Sequence, residues 1–108
     1  MPTAASRKGK QFELDVVRAL PGAVRPRQEG FQDKGDVHYA GLFALQCKNY
    51  ANVSDALRVG VPAAELQAGH AGLKYGVAVI KARNKNVDDA YVCMPLRAFR
   101  RLVEEEVK

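Results

Sequence analysis

The chain has 108 residues, of which 17 are Lys or Arg and 12 are Asp or Glu, so its formal net charge is +5. This length predicts a single domain, and the positive charge favours a polyanionic partner such as nucleic acid. No apolar run approaches the length of a membrane span, and the first ten residues lack the apolar stretch of a signal peptide, so we expect a cytoplasmic protein without a membrane partner. Two cysteines without ligand-type spacing predict buried free thiols.

The first predicted helix begins near Arg7, after a segment of small residues, 1–6, that we expect to be disordered. Phe12 and Val16 recur at helical spacing and would form its buried face. Ser6 is the expected N-cap, because its hydroxyl can accept a hydrogen bond from a free backbone N–H of the first turn.

Glu13 lies at the border of this apolar stripe. Most helical glutamates are simply exposed; the alternative is a carboxylate directed at a site formed by the strands that follow. Arg7, Lys8 and Lys10 precede it, and cations at the start of a helix oppose the helix dipole. This local conflict favours a phosphate-contacting role for the three side chains over simple solvation.

A short edge strand is predicted over residues 23–27, because Pro26 cannot donate to a ladder on both sides. A polar loop, 28–34, follows. Since loops beside rigid sheets often carry binding groups, this loop places such groups next to Asp36.

The segment from Asp36 to Lys48 predicts a β-hairpin that turns at Ala40-Gly41. Because successive side chains of a strand point to opposite faces, Gln46 and Lys48 are expected on one face of the second strand and Cys47 on the other. A three-residue loop with Gly41 in the left-handed conformation would pair Asp36 with Ala44. Gln46 would then be a diagonal neighbour of Asp36 on the same face, about 7–8 Å away, close enough for both side chains to bind one metal ion.

The second half of the chain predicts a short helical turn at Ser54-Asp55, and a longer helix from Pro62 to about His70 from which Gln67 could face the site. Residues 76–82 predict a central strand and residues 89–94 a last one. Pro95 opens an amphipathic helix, expected to direct Leu96, Phe99, Leu102 and Val103 inward and Arg97, Arg100 and Arg101 outward. The order α-β-β-β-α-β-β-α indicates an α/β domain with a mixed β-sheet flanked by helices.

Glu13, Asp36 and the triplet Gln46-Cys47-Lys48, in this order, resemble the PD-(D/E)xK nuclease superfamily, and within it the archaeal-type Holliday junction resolvases. Arg7-Lys8-Gly9 followed by Glu13 resembles the RKG-x-x-x-E opening of those resolvases, and Lys34-Gly35-Asp36 resembles their segment with the metal-binding aspartate. The resemblance covers residues 7–82. It implies a restriction-endonuclease-like core in one nuclease-like domain, 1–108.

The resemblance further implies a Mg²⁺-dependent endonuclease that hydrolyses phosphodiesters at four-way DNA junctions as a homodimer of bacterial, archaeal or phage origin. Mn²⁺ would substitute for Mg²⁺. Glu13, Asp36, the Gln46 amide oxygen and the Cys47 backbone carbonyl would hold the ion, and Lys48 would orient the attacking water or stabilise the transition state. The expected DNA contacts come from basic side chains and one aromatic side chain: Arg7, Lys8, Lys10, Arg25, Arg27, Lys34 and Tyr50.

The chain departs from the family pattern at two positions. Gln46 occupies the place of an acid found in most members, a variant also found in the endonuclease subunit of some cut-and-paste transposons, and Leu14 replaces an arginine. Alternatives are therefore another PD-(D/E)xK nuclease of restriction, repair or transposon type, and a catalytically silent DNA-binding protein on the same fold. By itself, a Gln-x-Lys triplet is more simply two polar residues at the end of an edge strand.

Overall fold

The computed structural model describes residues 3–27 and 33–107. Most of the predicted polar loop, residues 28–32, and residues 1–2 of the expected disordered segment lie outside the described residues. In the described part, no helix is long and apolar enough to cross a membrane. The helices and strands are α1 (Ala4–Ala19), β1 (Val37–Tyr39), β2 (Phe43–Lys48), α2 (Val53–Ala71), β3 (Tyr75–Ile80), β4 (Tyr91–Cys93) and α3 (Leu96–Glu106), with a 3₁₀ turn at Val87–Asp89.

The strands form one four-stranded sheet in the order β1-β2-β3-β4. β2 and β3 are parallel and are joined by α2, whereas the two outer pairs are antiparallel. This arrangement confirms the α/β class and the mixed sheet. The predicted strand at 23–27 is wrong, since only an isolated bridge joins Val24 to His38; Pro26, which has no N–H, cannot extend the pairing.

Helices cover both faces of the sheet. α1 inserts Phe12 and Val16 against one face, where β2 and β3 supply alternating apolar side chains. α2 covers the opposite face with small residues, Ala56, Gly60 and Ala64, that allow its backbone to lie close to β3. Gly76 and Ala78 on β3 are correspondingly small and buried, so this side of the core depends on close approach between backbones.

Two helix boundaries differ from those predicted. The N-cap of α1 is Thr3, whose Oγ1 accepts the Ser6 N–H at 3.1 Å; Ser6 is therefore not the cap, and residues 4–6 are helical. α2 is one helix capped by Asn52, with Pro62 inside it. Pro62 removes one helical hydrogen bond, but packing of the small-residue face on β3 holds the two halves as one helix.

The predicted inward face of α3 is wrong for three of its four residues, and the fourth, Leu102, is half-buried. Leu96, Phe99 and Val103 are exposed, and the buried residue of the helix is Ala98. Arg97, Arg100 and Arg101 are exposed, as predicted, and Arg97 also donates to both carboxylate oxygens of Glu65 on α2, at 2.7 and 2.8 Å. The amphipathic pattern of α3 therefore does not indicate which side of the helix meets the rest of the protein.

Candidate functional site

Asp36 is fixed at the start of β1 by two hydrogen bonds to β2. Its N–H donates to the Leu45 carbonyl at 2.9 Å, and its Oδ2 accepts the Cys47 N–H at 2.8 Å. Gly35, with φ of 96°, makes the turn that delivers Asp36 to this position. The carboxylate therefore lies over the backbone of β2, directly before the first residue of β1.

The hairpin register differs from the predicted one. The loop has three residues, 40–42, and Gly41 is left-handed as predicted, with φ of 67°. However, Ala40 is also left-handed, with φ of 59°, and the loop is shifted so that Val37 pairs with Leu45. The pairing ends at this pair. Asp36 lies outside β1; its N–H donates to the Leu45 carbonyl and its carboxylate accepts the Cys47 N–H. It therefore lies beside Leu45 and Cys47, the two residues that flank Gln46, and not opposite Ala44 as predicted.

Glu13 reaches the same region from α1. Its Oε1 lies 3.6 Å from the Arg25 Nε. Burial raises the pKa of Glu13, and the negative charge of Asp36 raises it further, against Arg25 and Lys10, which lower it. The structure therefore brings the two predicted carboxylates close enough to repel each other.

Burial is also the main cause that raises the pKa of Asp36. The Cys47 N–H opposes this effect, Asp33 adds to it, and Lys48 and Arg25 again oppose it. Asp36 thus interacts with a carboxylate on one side and with the predicted lysine on the other. Two partly desolvated acids that repel each other form a site that a cation stabilises.

Gln46 and Lys48 share the face of β2 that α2 covers. The Gln46 Oε1 is buried and accepts no hydrogen bond from any described residue. The Lys48 stem packs against α2 at Gly60, where an added Cβ would lie 3.3 Å from the Lys48 Cγ, and its Nζ lies 5.3 Å from the centre of the Tyr50 ring. Packing and this cation–π contact direct the Lys48 ammonium toward the end of the sheet.

Cys47 offers its backbone and not its thiol. The N–H and C=O groups of one strand residue point to the same edge of the strand. Because the Cys47 N–H donates to Asp36, the Cys47 carbonyl is also directed to the edge on which Asp36 lies, just before β1. The thiol is buried and free, and burial raises its pKa far above the usual range. Cys93 is also free and is half-buried. Free thiols are thus confirmed for both residues, and full burial for Cys47 alone.

The donor set suits a hard divalent cation. The described residues hold no cluster of three or more His, Cys, Asp and Glu side chains with metal-binding geometry. The candidate ligands are instead two carboxylates, one amide oxygen and one backbone carbonyl, all oxygen atoms as Mg²⁺ and Mn²⁺ prefer. A buried acceptor without a partner is costly, and a bound cation would satisfy the Gln46 Oε1. The Gln67 Oε1 is also buried without a partner among the described residues, so the fit to the implied ion rests on the types of the donor atoms.

Three residues beside this site were not predicted as one unit: Asp33, Gln67 and His70. The Asp33 Oδ1 accepts the Gly35 N–H at 2.9 Å, and its Oδ2 accepts the Gln67 Nε2 at 2.8 Å. His70 Nδ1 lies 2.9 Å from the Asp33 carbonyl oxygen. These bonds tie α2 to the turn before Asp36. The D-x-G pattern at Asp33 is a turn signal that could have identified the first contact, whereas the pairing with α2 is long-range.

The ionisation of Asp36 gives a test of the site that needs no substrate. Because burial raises its pKa above the ordinary 3.8, the folded protein without metal loses stability as the pH rises through that raised pKa. Asp36→Asn keeps an acceptor for the Cys47 N–H and removes the charge. We therefore expect the variant to melt at a higher temperature than wild type at pH 7 in chelator.

At about pH 3, where the carboxyl is protonated in both folded and unfolded chains, the two melting temperatures should converge. Thermal unfolding followed by circular dichroism at both pH values measures the difference. A variant that melts below wild type at pH 7 would mean that the surrounding residues already stabilise the Asp36 charge and that the site does not need a cation to do so.

The residues that were predicted to contact DNA are mostly exposed. Arg7, Lys8 and Lys10 lie on the first turns of α1, and Arg25 and Arg27 follow that helix, all five exposed. Lys34 is half-buried, and Tyr50 is exposed just beyond Lys48. Arg25 and Lys10 lower the pKa of Glu13 by their positive charge.

No protein-family model, no curated protein and no solved structure matches this chain.

Proposed function

We propose that this protein is a Mg²⁺-dependent endonuclease of the restriction-endonuclease-like type that hydrolyses phosphodiesters of branched DNA. The observation that carries the proposal is the Asp36 carboxylate, which accepts the Cys47 N–H at 2.8 Å and interacts electrostatically with Glu13 and Lys48. A carboxylate pair with an unpaired amide oxygen and a lysine supplies both a cation site and a positive charge for an attacked phosphate.

In this proposal each residue has a separate task. Asp36, Glu13, the Gln46 amide oxygen and the Cys47 carbonyl hold Mg²⁺, for which Mn²⁺ can substitute. When bound, Mg²⁺ lowers the pKa of water and offsets the charge that develops on the phosphate. Lys48 orients the attacking water or donates to a phosphate oxygen as negative charge builds there. Because Gly60 and Tyr50 hold the Lys48 side chain, this charge is positioned before the reaction and costs little reorganisation.

Four-way junctions are the proposed substrate class, cut by a homodimer in which each subunit nicks one strand. The support is the resemblance of residues 7–13 and 34–36 to the junction resolvases, together with exposed cations on the side of α1 that precedes Glu13. Phosphate contacts of this kind position a protein on nucleic acid without reading its sequence. Such contacts suit recognition of a DNA shape.

A second candidate is a DNA-binding protein of the same fold that does not cut. Gln46 favours it, because an amide in place of the usual acid leaves only two carboxylates to offset a divalent ion. Both candidates predict junction binding, and only the first predicts cleavage.

One gel separates the candidates. The protein is incubated with labelled four-way junction, linear duplex and single strand, each with Mg²⁺ and with chelator. The proposal predicts nicking of the junction in Mg²⁺ alone, and retained junction binding in chelator. Binding without nicking in either Mg²⁺ or Mn²⁺ would select the silent DNA-binding protein, and no preference for the junction over duplex would remove the substrate class.

Salt dependence tests the DNA surface. Arg7, Lys8, Arg25 and Arg27 are expected to contact phosphates, so removal of each charge should flatten the slope of log K against log[salt] by roughly one unit. Lys74→Ala is the matched control, because Lys74 pairs with Glu105 and Glu106 at the opposite end of β3 from Lys48. Four unchanged slopes, measured by anisotropy in chelator, would exclude these side chains from the interface.

Gln46 gives a prediction about metal affinity. With an uncharged ligand at this position, Mg²⁺ should bind weakly to the free protein and more tightly when a scissile phosphate adds its charge. Linkage requires that metal and DNA raise each other's affinity by the same factor. Gln46→Glu should tighten metal binding to the free protein, by roughly tenfold for the added charge, and reduce that cooperativity.

Titration of Mg²⁺ into wild type and Gln46→Glu, with and without an uncleavable junction, measures all four equilibria. Equal Mg²⁺ requirements for both proteins in every case would show that Gln46 is not a ligand. The maximal cleavage rate is not a readout of this test, because the added carboxylate also repels the phosphate.

A further inference from the structure

The outward face of α3 carries an apolar stripe. Leu96, Phe99, Val103 and Val107 are 78, 53, 42 and 64% exposed. The spacing of Leu96, Phe99 and Val103 places these three on one side of the helix, and Val107 follows directly after the last helical residue, Glu106. The opposite side, with Ala98 and Arg101, meets the rest of the protein: Ala98 is buried, and the Arg101 guanidinium lies 5.1 Å from the centre of the Tyr75 ring.

The apolar surface continues from α3 onto the edge strand. Val92 on β4 is 68% exposed and lines one groove with Leu96 and Phe99, at whose base lie Phe43 and Val77. Contiguous exposed apolar surfaces of this kind mark interaction sites more often than scattered single residues do. We name this surface, formed by Val92, Leu96, Phe99, Val103 and Val107, the α3 stripe.

Two charges of opposite sign lie along one flank of the α3 stripe, so a second copy of the helix that runs in the opposite direction would present the opposite charge beside each of them. Arg100 and Glu104 are four residues apart and lie on the same flank. Neither side chain forms an ion pair or hydrogen bond with any residue in the described ranges, whereas Arg97, Arg101, Glu105 and Glu106 all do. The two charges without partners are thus the pair that borders the exposed apolar side chains.

We propose that the α3 stripe packs antiparallel against the same stripe of a second copy of this chain, about a two-fold axis near residue 101. In this arrangement Phe99 lies against the partner's Val103 and Leu96 against the partner's Val107. The same axis places Arg100 beside the partner's Glu104, and the contact occurs twice. In an interface between two copies of one surface, each contact must occur twice. Because Arg100 precedes Glu104 along the helix, opposite charges lie beside each other only when the two helices are antiparallel.

The α3 stripe would form the interface of the homodimer in the proposed function. Apart from this link, the inference does not depend on the proposed function. It is argued from α3 and β4 alone, and its test measures mass instead of cleavage. A nuclease whose α3 stripe does not pair would fail the mass measurement and still cut, whereas a dimer that does not cut would satisfy the mass measurement and fail the gel.

The test is sedimentation equilibrium of the full chain over a range of concentrations. Wild type is expected to be a dimer. Phe99→Ser changes both copies and should weaken the dimer roughly a hundredfold. Arg100→Glu places like charges beside each other twice and should weaken it roughly tenfold or more. The double variant Arg100→Glu with Glu104→Arg restores opposite charges and should recover most of the wild-type affinity.

Arg58→Glu is the matched control, because it makes the same charge change on the exposed surface of α2, where Arg58 pairs with Asp55; its dimer should match wild type. Since the changed α3 side chains are exposed, circular dichroism should show folded protein in every variant. A monomeric wild type at every concentration would overturn the proposal, as would a double variant as weak as Arg100→Glu. Binding of monomeric wild type to lipid vesicles, lost in Phe99→Ser, would assign the stripe to a membrane surface instead.

Discussion

Replacement of Lys48 by Ala is expected to lower the rate of junction cleavage by at least about 1000-fold and to change junction affinity by less than about threefold. In the proposed mechanism, chemistry depends on one positioned charge beside Asp36, whereas binding would be spread over many phosphate contacts. Asp36→Ala should have an effect of similar size, because it removes the carboxylate that interacts electrostatically with both Glu13 and Lys48. Single-turnover cleavage and anisotropy binding measure the two quantities separately.

Lys74→Ala is again the control, since it removes one lysine charge at the far end of β3. It should cleave at close to the wild-type rate. A parallel loss of binding and cleavage in Lys48→Ala, with altered circular dichroism, would indicate unfolding. Cleavage within about tenfold of wild type by a folded Lys48→Ala would contradict the assigned role, since loss of one positioned charge ordinarily costs more than that.

Gly76→Ala is expected to destabilise the fold by roughly 3 kcal/mol or more, which lowers the melting temperature by more than about 10 °C. A Cβ at Gly76 would overlap the Ala64 carbonyl of α2 and lie 2.6 Å from the Glu65 N. These are backbone atoms and cannot move by a change of rotamer. Either α2 or β3 must shift, and α2 is the helix that holds the Lys48 stem at Gly60.

Gly69→Ala is the matched control, because the same methyl group on the exposed side of α2 meets nothing within 4 Å. It should leave the melting temperature unchanged or raise it slightly, since Ala is the better helix former. Equal melting temperatures for Gly76→Ala and wild type would mean that α2 and β3 are not packed as closely as described.

Elements whose local pattern agrees with their tertiary surroundings could be predicted from the sequence. β3 reads as a continuous apolar run and is buried along its whole length. The hairpin has the predicted loop length and a left-handed Gly41. Asp36 interacts electrostatically with both Glu13 and Lys48, and the sequence placed these three residues on α1, at the start of β1 and on β2.

Features that depend on distant partners could not be predicted. The hairpin register changed because Ala40, which has no strong left-handed preference, takes a positive φ of 59°. The inward face of α3 was misassigned, and the contact of Arg97 with Glu65 joins residues 32 positions apart. The contact of Gln67 with Asp33 spans 34 positions. No local periodicity carries such information.

The central claim is that Asp36, Gln46 and the Cys47 backbone surround one divalent cation, and paramagnetic broadening by Mn²⁺ tests it most directly. The amide spectrum of the protein with an uncleavable junction is recorded before and after addition of Mn²⁺. The account predicts that broadening is strongest for the N–H groups of Asp36, Gln46 and Cys47 and that Asp36→Ala abolishes it there. Broadening centred elsewhere, such as at Asp88 and Asp89, or unchanged by Asp36→Ala, would contradict it.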